Sequence, residues 1–262
     1  VKNILVDGGI IAMDDVPADE VLDCTGISVF PGFIDVHNHG AVGVDVNTAD
    51  TDGLIEIASF LARNGVTAWL PTLVPDSDEN YGKAIDAIDR LIEIQTDRPI
   101  AQAVGVHYEG VFANEKMCGA LRPEYFRKWH GGQGHTEERT TPSAQSGGHH
   151  SFVRMGDIGL PRLKQGIHMT TLAPEVEGGI ELIRELMRHG WVASVGHTKS
   201  DTETLDAAFA AGARHLTHFY NAMTPLHHRD VGVVGWALAN PDVTFDIIAD
   251  GIHVHPKMLE FA

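Results

Sequence analysis

Two histidines separated by one residue follow a short apolar run in the segment PGFIDVHNHG, at positions 31–40. Side chains alternate across a β-strand, so residues two apart point the same way. If residues 33–36 form a buried strand, His37 and His39 project together from its C-terminal end. Two imidazoles on one side are a natural pair of metal ligands, although solvated histidines at a polar strand end produce the same pattern.

Three later strand-like segments also end in residues that can bind a metal. Glu109 ends AQAVGVHYEG, His197 lies near the end of WVASVGHT, and His218 lies in RHLTHFYNAM. A lone histidine or carboxylate at a strand end is usually structural or solvated, but here the pattern repeats. Together with the first histidine pair, these residues supply nitrogen and oxygen ligands that suit zinc or a similar divalent ion. His215, three residues before His218, would face the other way on a strand.

Polar residues also follow the last two strand-like segments. In ADGIH, Asp250 and His253 come at the strand end, where the histidine can polarise a carbonyl or simply pack. The loop NAMTPLHHRD begins at Asn221, whose following backbone N–H groups can bind an anion. In the same loop Arg229 and two adjacent histidines form a compact positive cluster, which is either an anion site or an exposed basic loop.

The segments that position these residues alternate between strand-like and helix-like patterns. β-rich runs occupy positions 32–37, 67–74, 101–110, 167–175, 191–198, 214–223 and 243–254. Apolar residues at helical spacing predict helices at 51–65, 77–94, 178–190 and 200–213. The last of these helices opens with Ser200 and has Glu203 three residues later, which is a capping-box arrangement.

Alternating strands and helices predict a parallel sheet, in either an open doubly wound fold or a closed (β/α)8 barrel. Seven strands are predicted, and the polar residues gather at their C-terminal ends, where barrel enzymes carry their chemistry. Residues 1–30 consist of short strands and turns. Residues 127–152 are rich in Gly, Ser, Thr and His, which predicts a long loop or insertion within a barrel of residues 31–262. Its histidines can bind metal or be solvated; they are His130, His135, His149 and His150.

The bulk composition limits the kinds of partner. A formal charge of −17 argues against nucleic acid or an anionic membrane as the main partner, and an anionic substrate needs a locally positive pocket. No apolar run reaches the ~18–20 residues that span a bilayer. Cys24 and Cys118 are too few for a disulfide framework, which favours a reducing cytoplasm, and one bridge between them stays open.

Seven motifs spread over residues 30–256 resemble those of the amidohydrolase superfamily and, within it, the N-acetylglucosamine-6-phosphate deacetylases. In chain order the motifs are PGFIDVHNHG, WLPTLV, GVHYEGVF, TLAPE, VGHTKSD, THFYNAMTPLHHRDVG and IIADGIHV. This resemblance implies a TIM-like (β/α)8 metallohydrolase barrel, with residues 1–30 forming part of a small β-sandwich domain. It also implies a cytoplasmic homodimer that hydrolyses the N-acetyl group of N-acetylglucosamine 6-phosphate in amino-sugar catabolism.

The resemblance also assigns the metal ligands. Glu109, His197 and His218 match the principal ligands, and His37 and His39 match the pair that holds a second metal in some members. It therefore implies one or two divalent ions, zinc first, with iron or another transition metal as alternatives.

Substrate contacts follow from the same motifs. Asn221 and Ala222 match residues that contact the substrate, and Arg229 matches the phosphate-binding arginine, which reaches across a dimer interface. Asp250 and His253 close the last motif, and His253 matches the histidine beside the acetyl carbonyl of the substrate.

Three departures from the family pattern leave other functions open. Val111 stands where the family has proline, and Leu121 stands where it has a polar, substrate-contacting residue. The catalytic aspartate of the family ends an eighth strand, which is expected beyond residue 262. The alternatives are another amidohydrolase, acting on a related N-acetyl amino-sugar phosphate or amide, and a non-catalytic truncated barrel that binds metal or sugar phosphate.

Overall fold

The structure is a computed structural model that describes residues 4–7, 10–12, 18–129 and 158–262. The chain divides into two compact units, Val1–Gly32 and Phe33–Ala262. The first unit contains an antiparallel pair of short strands, Leu5–Asp7 and Ile10–Ala12. The predicted boundary at residue 30 therefore lies two residues from the observed one, and the assignment of the first unit to a β-sandwich stays a prediction.

A curled parallel sheet forms the centre of the second unit. Its seven main strands are β1 Phe33–Asn38, β2 Val66–Leu73, β3 Gly105–Phe112, β4 Ile167–Leu172, β5 Val192–Val195, β6 His215–Leu216 and β7 Thr244–Phe245. Each strand pairs in parallel with the next along the chain, and a short strand, Gln102–Ala103, also pairs with β2. This order confirms the predicted TIM-like barrel with seven strands present.

Five of the six described α-helices each connect two successive strands, and the sixth follows β7; between β3 and β4 the described residues contain only two short 3-10 helices, Glu115–Met117 and Pro123–Tyr125. The α-helices are α1 Thr51–Arg63, α2 Asp78–Ile94, α3 Gly179–Arg188, α4 Thr202–Ala211, α5 Gly232–Ala239 and α6 Pro256–Leu259. The apolar positions that predicted α1, including Leu54 and Ile57, are the ones that it buries. Asp50 and Ser77 cap α1 and α2 through their side chains. The helix α5 was not predicted, because its uniformly apolar sequence lacks the periodicity of an amphipathic helix.

The capping prediction for α4 is wrong by one residue. Asp201, not Ser200, is the N-cap, and its side chain accepts a hydrogen bond from the backbone N–H of Thr204 at 2.9 Å. An aspartate caps a helix at least as well as a serine, and its charge also favours the positive helix end. The Ser200 hydroxyl is therefore left for a different contact.

The last two strands are much shorter than predicted, since each pairs over only two residues. After β6 the backbone enters the left-handed region at His218, Tyr220 and Ala222, which ends an extended strand. After β7 the Asp250 carboxylate accepts hydrogen bonds from the backbone N–H groups of Ile252 and His253, so these amides form a turn instead of a sheet ladder.

A chain of buried polar side chains crosses the inner face of the sheet. His107 Nε2 lies 2.7 Å from Thr171 Oγ1, which lies 2.6 Å from Thr217 Oγ1, and Ser194 Oγ lies 2.6 Å from Thr217 Oγ1. All four side chains are inaccessible to solvent. Since buried polar groups are costly without partners, this interior polar chain fixes the relative positions of β3, β4, β5 and the residue after β6.

Both cysteines, Cys24 and Cys118, are free thiols. Among the described residues, none of the helices combines the length and the apolar character needed to cross a membrane.

Candidate metal centre

Five side chains from four strand ends converge at the C-terminal edge of the sheet. Glu109 Oε1 lies 3.0 Å from His197 Nε2, 3.1 Å from His218 Nε2 and 3.3 Å from His37 Nε2. The other carboxylate oxygen, Oε2, lies 3.0 Å from His39 Nε2. The structure thus brings all the predicted ligand residues together as two overlapping groups that share Glu109.

Strand geometry explains why these side chains meet. His37 belongs to β1 and His39 follows it, so both point to one side, as the two-residue spacing predicts. Glu109 lies within β3, just before Gly110, whose φ of +71° starts an irregularity in the pairing with β4. His197 and His218 each lie two residues beyond a strand, with φ of +49° and +39°. Left-handed non-glycine residues are rare and concentrate at functional sites, where surrounding contacts hold them.

Backbone carbonyls fix the tautomer of two of the imidazoles. His197 Nδ1 lies 2.8 Å from the carbonyl oxygen of Met117, and His39 Nδ1 lies 3.2 Å from that of Thr72. A carbonyl oxygen only accepts, so both Nδ1 atoms carry the proton. In a neutral imidazole the Nε2 atom then presents a lone pair, and both lone pairs face the carboxylate of Glu109.

This arrangement places acceptors against acceptors, which fits a cation between them. The Nε2 atoms of His37 and His39 are 2.9 Å apart, and those of His197 and His218 are also 2.9 Å apart. Ligands held tetrahedrally at about 2.0–2.1 Å from zinc lie about 3.3 Å from one another, close to the spacings between these atoms. The residues present therefore fit one divalent ion or two.

The electrostatics of the cluster support the same conclusion. Burial would raise the pKa of Glu109, but the contacts with the surrounding histidines, His197 first, outweigh burial and hold the pKa well below its usual range. Burial would likewise lower the pKa of His37, but the carboxylates of Asp246 and Glu109 raise it to about 10. The negative charge of Glu109 thus favours a cation among the ring nitrogens, and a metal ion bound here would take the place of protons on them.

Asp246, the residue immediately after β7, belongs to this region, and it was not predicted from the sequence. Its Oδ2 accepts a hydrogen bond from the backbone N–H of His218 at 2.9 Å and lies 3.7 Å from His37 Nδ1. Its Oδ1 lies 3.0 Å from His215 Nε2. Burial would raise the pKa of Asp246, but the contacts with His215 and His37 lower it well below the usual range. His215 is outside the metal cluster, as predicted.

His107, two residues before Glu109 on β3, packs against the cluster beside His37. Its Nδ1 lies 3.0 Å from the carbonyl oxygen of Val36, and its ring centroid is 5.0 Å from that of His37. Burial lowers its pKa well below the usual range, so the ring is neutral. The two-residue spacing from Glu109 could have identified it, because both side chains point to the inner face of the sheet.

The predicted substrate-contacting residues lie in the loops after β6 and β7. Asn221 Nδ2 is buried without a hydrogen-bond acceptor among the described residues, and the Ala222 carbonyl accepts from the Thr198 N–H at 3.1 Å.

Arg229 is exposed, and its Nε donates to His228 Nε2 at 3.0 Å. His253 Nδ1 is 2.7 Å from Asp250 Oδ2, and the backbone N–H of His253 first, then its ring, lower the pKa of Asp250 to about 2.

These loop residues do not join the metal cluster directly. Over the described part of the chain, no hydrogen bond or ion pair links Arg229, Asp250 or His253 to the five predicted ligand residues. Val111 and Leu121, the two departures from the family pattern, are both buried. The four histidines of the predicted insertion, from His130 to His150, lie outside the described residues.

The profile of the amidohydrolase family matches residues 28–262. The chain belongs to this family. A relative from Bacillus subtilis named N-acetylglucosamine-6-phosphate deacetylase is 36% identical over 255 residues, which cover 94% of this chain and 55% of the relative. A relative from Escherichia coli O157:H7 named N-acetylgalactosamine-6-phosphate deacetylase is 33% identical, over 97% of this chain and 61% of the relative.

A solved amidohydrolase structure has the same fold. The crystal structure of N-acetylglucosamine-6-phosphate deacetylase from Pasteurella multocida matches 98% of this chain with a TM-score of 0.72 and 26% identity. The match covers 62% of that chain, and this chain spans little more than half the length of the curated relatives that it matches. The resemblance in sequence motifs is therefore confirmed along almost all of these 262 residues.

Proposed function

We propose that this amidohydrolase removes the N-acetyl group of N-acetylglucosamine 6-phosphate, giving acetate and glucosamine 6-phosphate in amino-sugar catabolism. The observation that carries the proposal is the convergence of four histidines on Glu109. Support comes from relatives named for this reaction that match 94% of the chain. The family accounts for hydrolysis of a carbon–nitrogen bond, and the relatives supply the choice of a phosphorylated amino sugar.

Glu109, His197 and His218 would hold the principal ion, and His37 and His39 would hold a second one with Glu109. Zinc is proposed first because imidazole and carboxylate are its usual ligands, and iron or another transition metal is the alternative. A bound ion of this kind supplies Lewis-acid chemistry, since it polarises the acetyl carbonyl and acidifies water.

The remaining assignments concern binding of the substrate. Arg229 would bind the 6-phosphate, and the buried Nδ2 of Asn221 would donate to a substrate oxygen near Ala222. Asp250 would hold His253 through Nδ1 and so orient the ring beside the acetyl carbonyl of the substrate. Arg229 would reach the substrate of a partner subunit in a homodimer, and its exposed position supports this proposal. We place the protein in the cytoplasm, and the two free cysteines support that location.

Hydrolysis also requires a proton to pass from the attacking water to the leaving nitrogen as the carbon–nitrogen bond breaks. Asp246 is a carboxylate beside the cluster, 3.7 Å from His37 Nδ1, but it already accepts from His215 and from the His218 backbone N–H. Among the described residues, the transfer therefore has no assigned group, and the family resemblance assigns it to an aspartate after an eighth strand.

Acetate release from N-acetylglucosamine 6-phosphate in the presence of zinc tests the proposal directly. Release that is abolished by a chelator and restored by zinc is the expected result. Zinc binding without acetate release from any N-acetylated sugar phosphate would instead favour the non-catalytic alternative, a barrel that binds metal or sugar phosphate.

A second substrate is favoured by specific observations. Leu121 is a buried apolar residue where the family has a polar substrate contact, and one relative acts by name on the galactose epimer. The alternative is thus an amidohydrolase for a related N-acetyl amino-sugar phosphate or amide. Comparing kcat/KM for N-acetylglucosamine 6-phosphate, N-acetylgalactosamine 6-phosphate and their unphosphorylated forms decides between these substrates.

A further inference from the structure

A half-buried carboxylate outside the metal cluster accepts hydrogen bonds from four donors. Glu175 lies three residues beyond β4. Its Oε1 accepts from Asn114 Nδ2 at 2.8 Å and from the Lys199 backbone N–H at 2.7 Å. Its Oε2 accepts from the hydroxyls of Thr198 at 2.5 Å and Ser200 at 2.7 Å. Each of the two carboxylate oxygens therefore accepts two hydrogen bonds from the protein itself.

The four donors stabilise the ionised form of the Glu175 carboxylate. Burial would raise its pKa, but the hydrogen bonds from Thr198, Lys199 and Asn114 outweigh burial and lower it, so the group is ionised at neutral pH. Hydrogen bonds to an ionised acceptor are about twice as strong as neutral ones. The Ser200 hydroxyl is committed here, which agrees with Asp201 taking the N-cap of α4.

Three of the four donors immediately follow His197 in the chain. His197 has a φ of +49°, a conformation that an L-residue keeps only when its surroundings hold it. The buried Thr198 also donates its backbone N–H to the Ala222 carbonyl. Contacts on the C-terminal side of His197 therefore depend on the Glu175 carboxylate, which holds the turn at residues 198–200 against the end of β4.

The fourth donor connects Glu175 to the other side of the same histidine. Asn114 donates its backbone N–H to the His197 carbonyl at 3.1 Å, and its side chain is the one that donates to Glu175. Asn114 also caps the short helix Glu115–Met117, whose last residue supplies the carbonyl that fixes His197 Nδ1. One carboxylate thus ties together the two segments that orient the imidazole.

We propose that Glu175 is a positioning residue for the metal ligand His197, which it holds in its left-handed conformation with Nε2 directed at Glu109. The inference rests on the proposed metal centre and assigns no direct contact with metal or substrate to Glu175. It is specific to one part of the cluster, since the hydrogen bonds of Glu175 lead to His197, whereas His37 and His39 belong to β1 and the residue after it.

The test is the zinc affinity of Glu175→Gln, measured by competition with a chromophoric chelator. Glutamine keeps the shape, but one of its two terminal atoms becomes a donor and no longer accepts from two groups. Loss of a hydrogen bond that orients a metal-binding histidine typically weakens metal binding 10–100-fold, and because Glu175 acts through a turn we expect about tenfold. Glu177→Gln is the matched control, since among the described residues that exposed carboxylate pairs only with Lys128, at 3.5 Å, and its loss should leave the affinity unchanged.

A second readout separates positioning from a general loss of stability. The visible absorption spectrum of Co²⁺ bound in place of zinc should change in Glu175→Gln and not in Glu177→Gln, because the orientation of His197 changes. Thr198→Val, which removes one donor from the same network, should weaken zinc binding in the same direction, by less than tenfold. This variant keeps the inference testable if the glutamine variant does not fold.

Unchanged zinc affinity and an unchanged Co²⁺ spectrum in Glu175→Gln would overturn the assignment, even if the Tm of the metal-free protein fell. That result would make Glu175 a structural residue only. Wild-type protein that binds no zinc would instead refute the metal centre itself, and the inference with it. Failure of the proposed function and failure of the assignment to Glu175 are therefore distinguished by the wild-type measurement.

Discussion

The backbone N–H of His218 donates a hydrogen bond to Asp246 Oδ2 over 2.9 Å, so the residue after β7 holds a predicted ligand that follows β6. The same oxygen lies 3.7 Å from His37 Nδ1 on β1. The first and last strands of the sheet therefore meet at one carboxylate, which contacts residues of both proposed metal-binding groups.

Replacing Asp246 by asparagine should weaken both groups. The variant loses the negative charge that faces His37 and His215, and one of its terminal atoms becomes a donor. We expect zinc affinity to fall about tenfold or more, as for other carboxylates behind a metal-binding histidine. Chelator competition measures the change. Asp242→Asn, an exposed substitution before β7, is the control and should bind zinc as the wild type does.

Removing His197 should eliminate tight metal binding and turnover together. Its Nε2 lies 3.0 Å from Glu109 Oε1 and 2.9 Å from His218 Nε2, so alanine removes a central ligand. We expect His197→Ala to show no acetate release and no zinc binding at the affinity of the wild type. His189→Ala, at the C-terminal end of α3, should retain both. Full turnover in the His197 variant would contradict the metal centre.

Much of this cluster could be predicted from the sequence because the proposed ligands follow a simple geometric rule. Parallel strands bring their C-terminal ends to one edge, so residues at several strand ends meet whatever the exact strand length. His37, Glu109 and His218 illustrate the rule, since they come together although β6 spans only two residues. Predicting the strand order therefore required only the correct alternation of strands and helices, without exact strand lengths.

Asp246 and Glu175 could not be predicted in this way. The apolar sequence around Asp246 suggested a strand running to residue 254, so attention fell on Asp250 and His253 at its expected end. The strand ends at Phe245, and further along the chain the Asp250 side chain accepts from backbone N–H groups that a ladder would use. Glu175 contacts Asn114, about 60 residues away in sequence, and no local pattern specifies such a pair.

Arg229 gives a prediction that depends on the phosphate of the substrate. A charged hydrogen bond contributes about 1.5–3 kcal/mol, so Arg229→Ala should lower kcat/KM for N-acetylglucosamine 6-phosphate about 10–100-fold. The value for N-acetylglucosamine should not change. Arg90→Ala, which removes an equal charge from the exposed surface of α2, should affect neither substrate. Equal effects of Arg229→Ala on both sugars would contradict phosphate binding by this residue.

The interior polar chain should contribute to stability through its hydroxyls. Thr171→Val keeps the volume but removes the partner of His107 Nε2 and of Thr217 Oγ1. Leaving such buried groups unpaired costs about 1–3 kcal/mol, and we expect the free energy of unfolding in urea to fall by that amount. Thr171→Ser retains the hydroxyl and loses one methyl group, at about 0.8 kcal/mol. A serine variant less stable than the valine variant would contradict the role of the hydrogen bonds.

His168, on β4 beside the ring of Trp191, should make stability depend on pH. Burial first, and then the charge of Arg162, lower its pKa from 6.5 to about 4. The neutral ring accepts a hydrogen bond from the Leu163 backbone N–H at 2.9 Å. Because the pKa is lower in the folded state, this stability is fully present above about pH 6.5 and is lost as the pH falls towards 4. Allowing for its partial exposure, we expect a loss of about 1–3 kcal/mol.

Glutamine at position 168 isolates this contribution from the other titrating groups. Its side-chain oxygen can accept from the Leu163 N–H, but it does not take up a proton between pH 7 and 4. Urea unfolding of the wild type and His168→Gln at pH 7.5, 6 and 5 should therefore show the wild type losing more stability as the pH falls. Since all other ionisable groups are common to the two proteins, parallel pH profiles would mean that His168 is protonated equally in the folded and unfolded states.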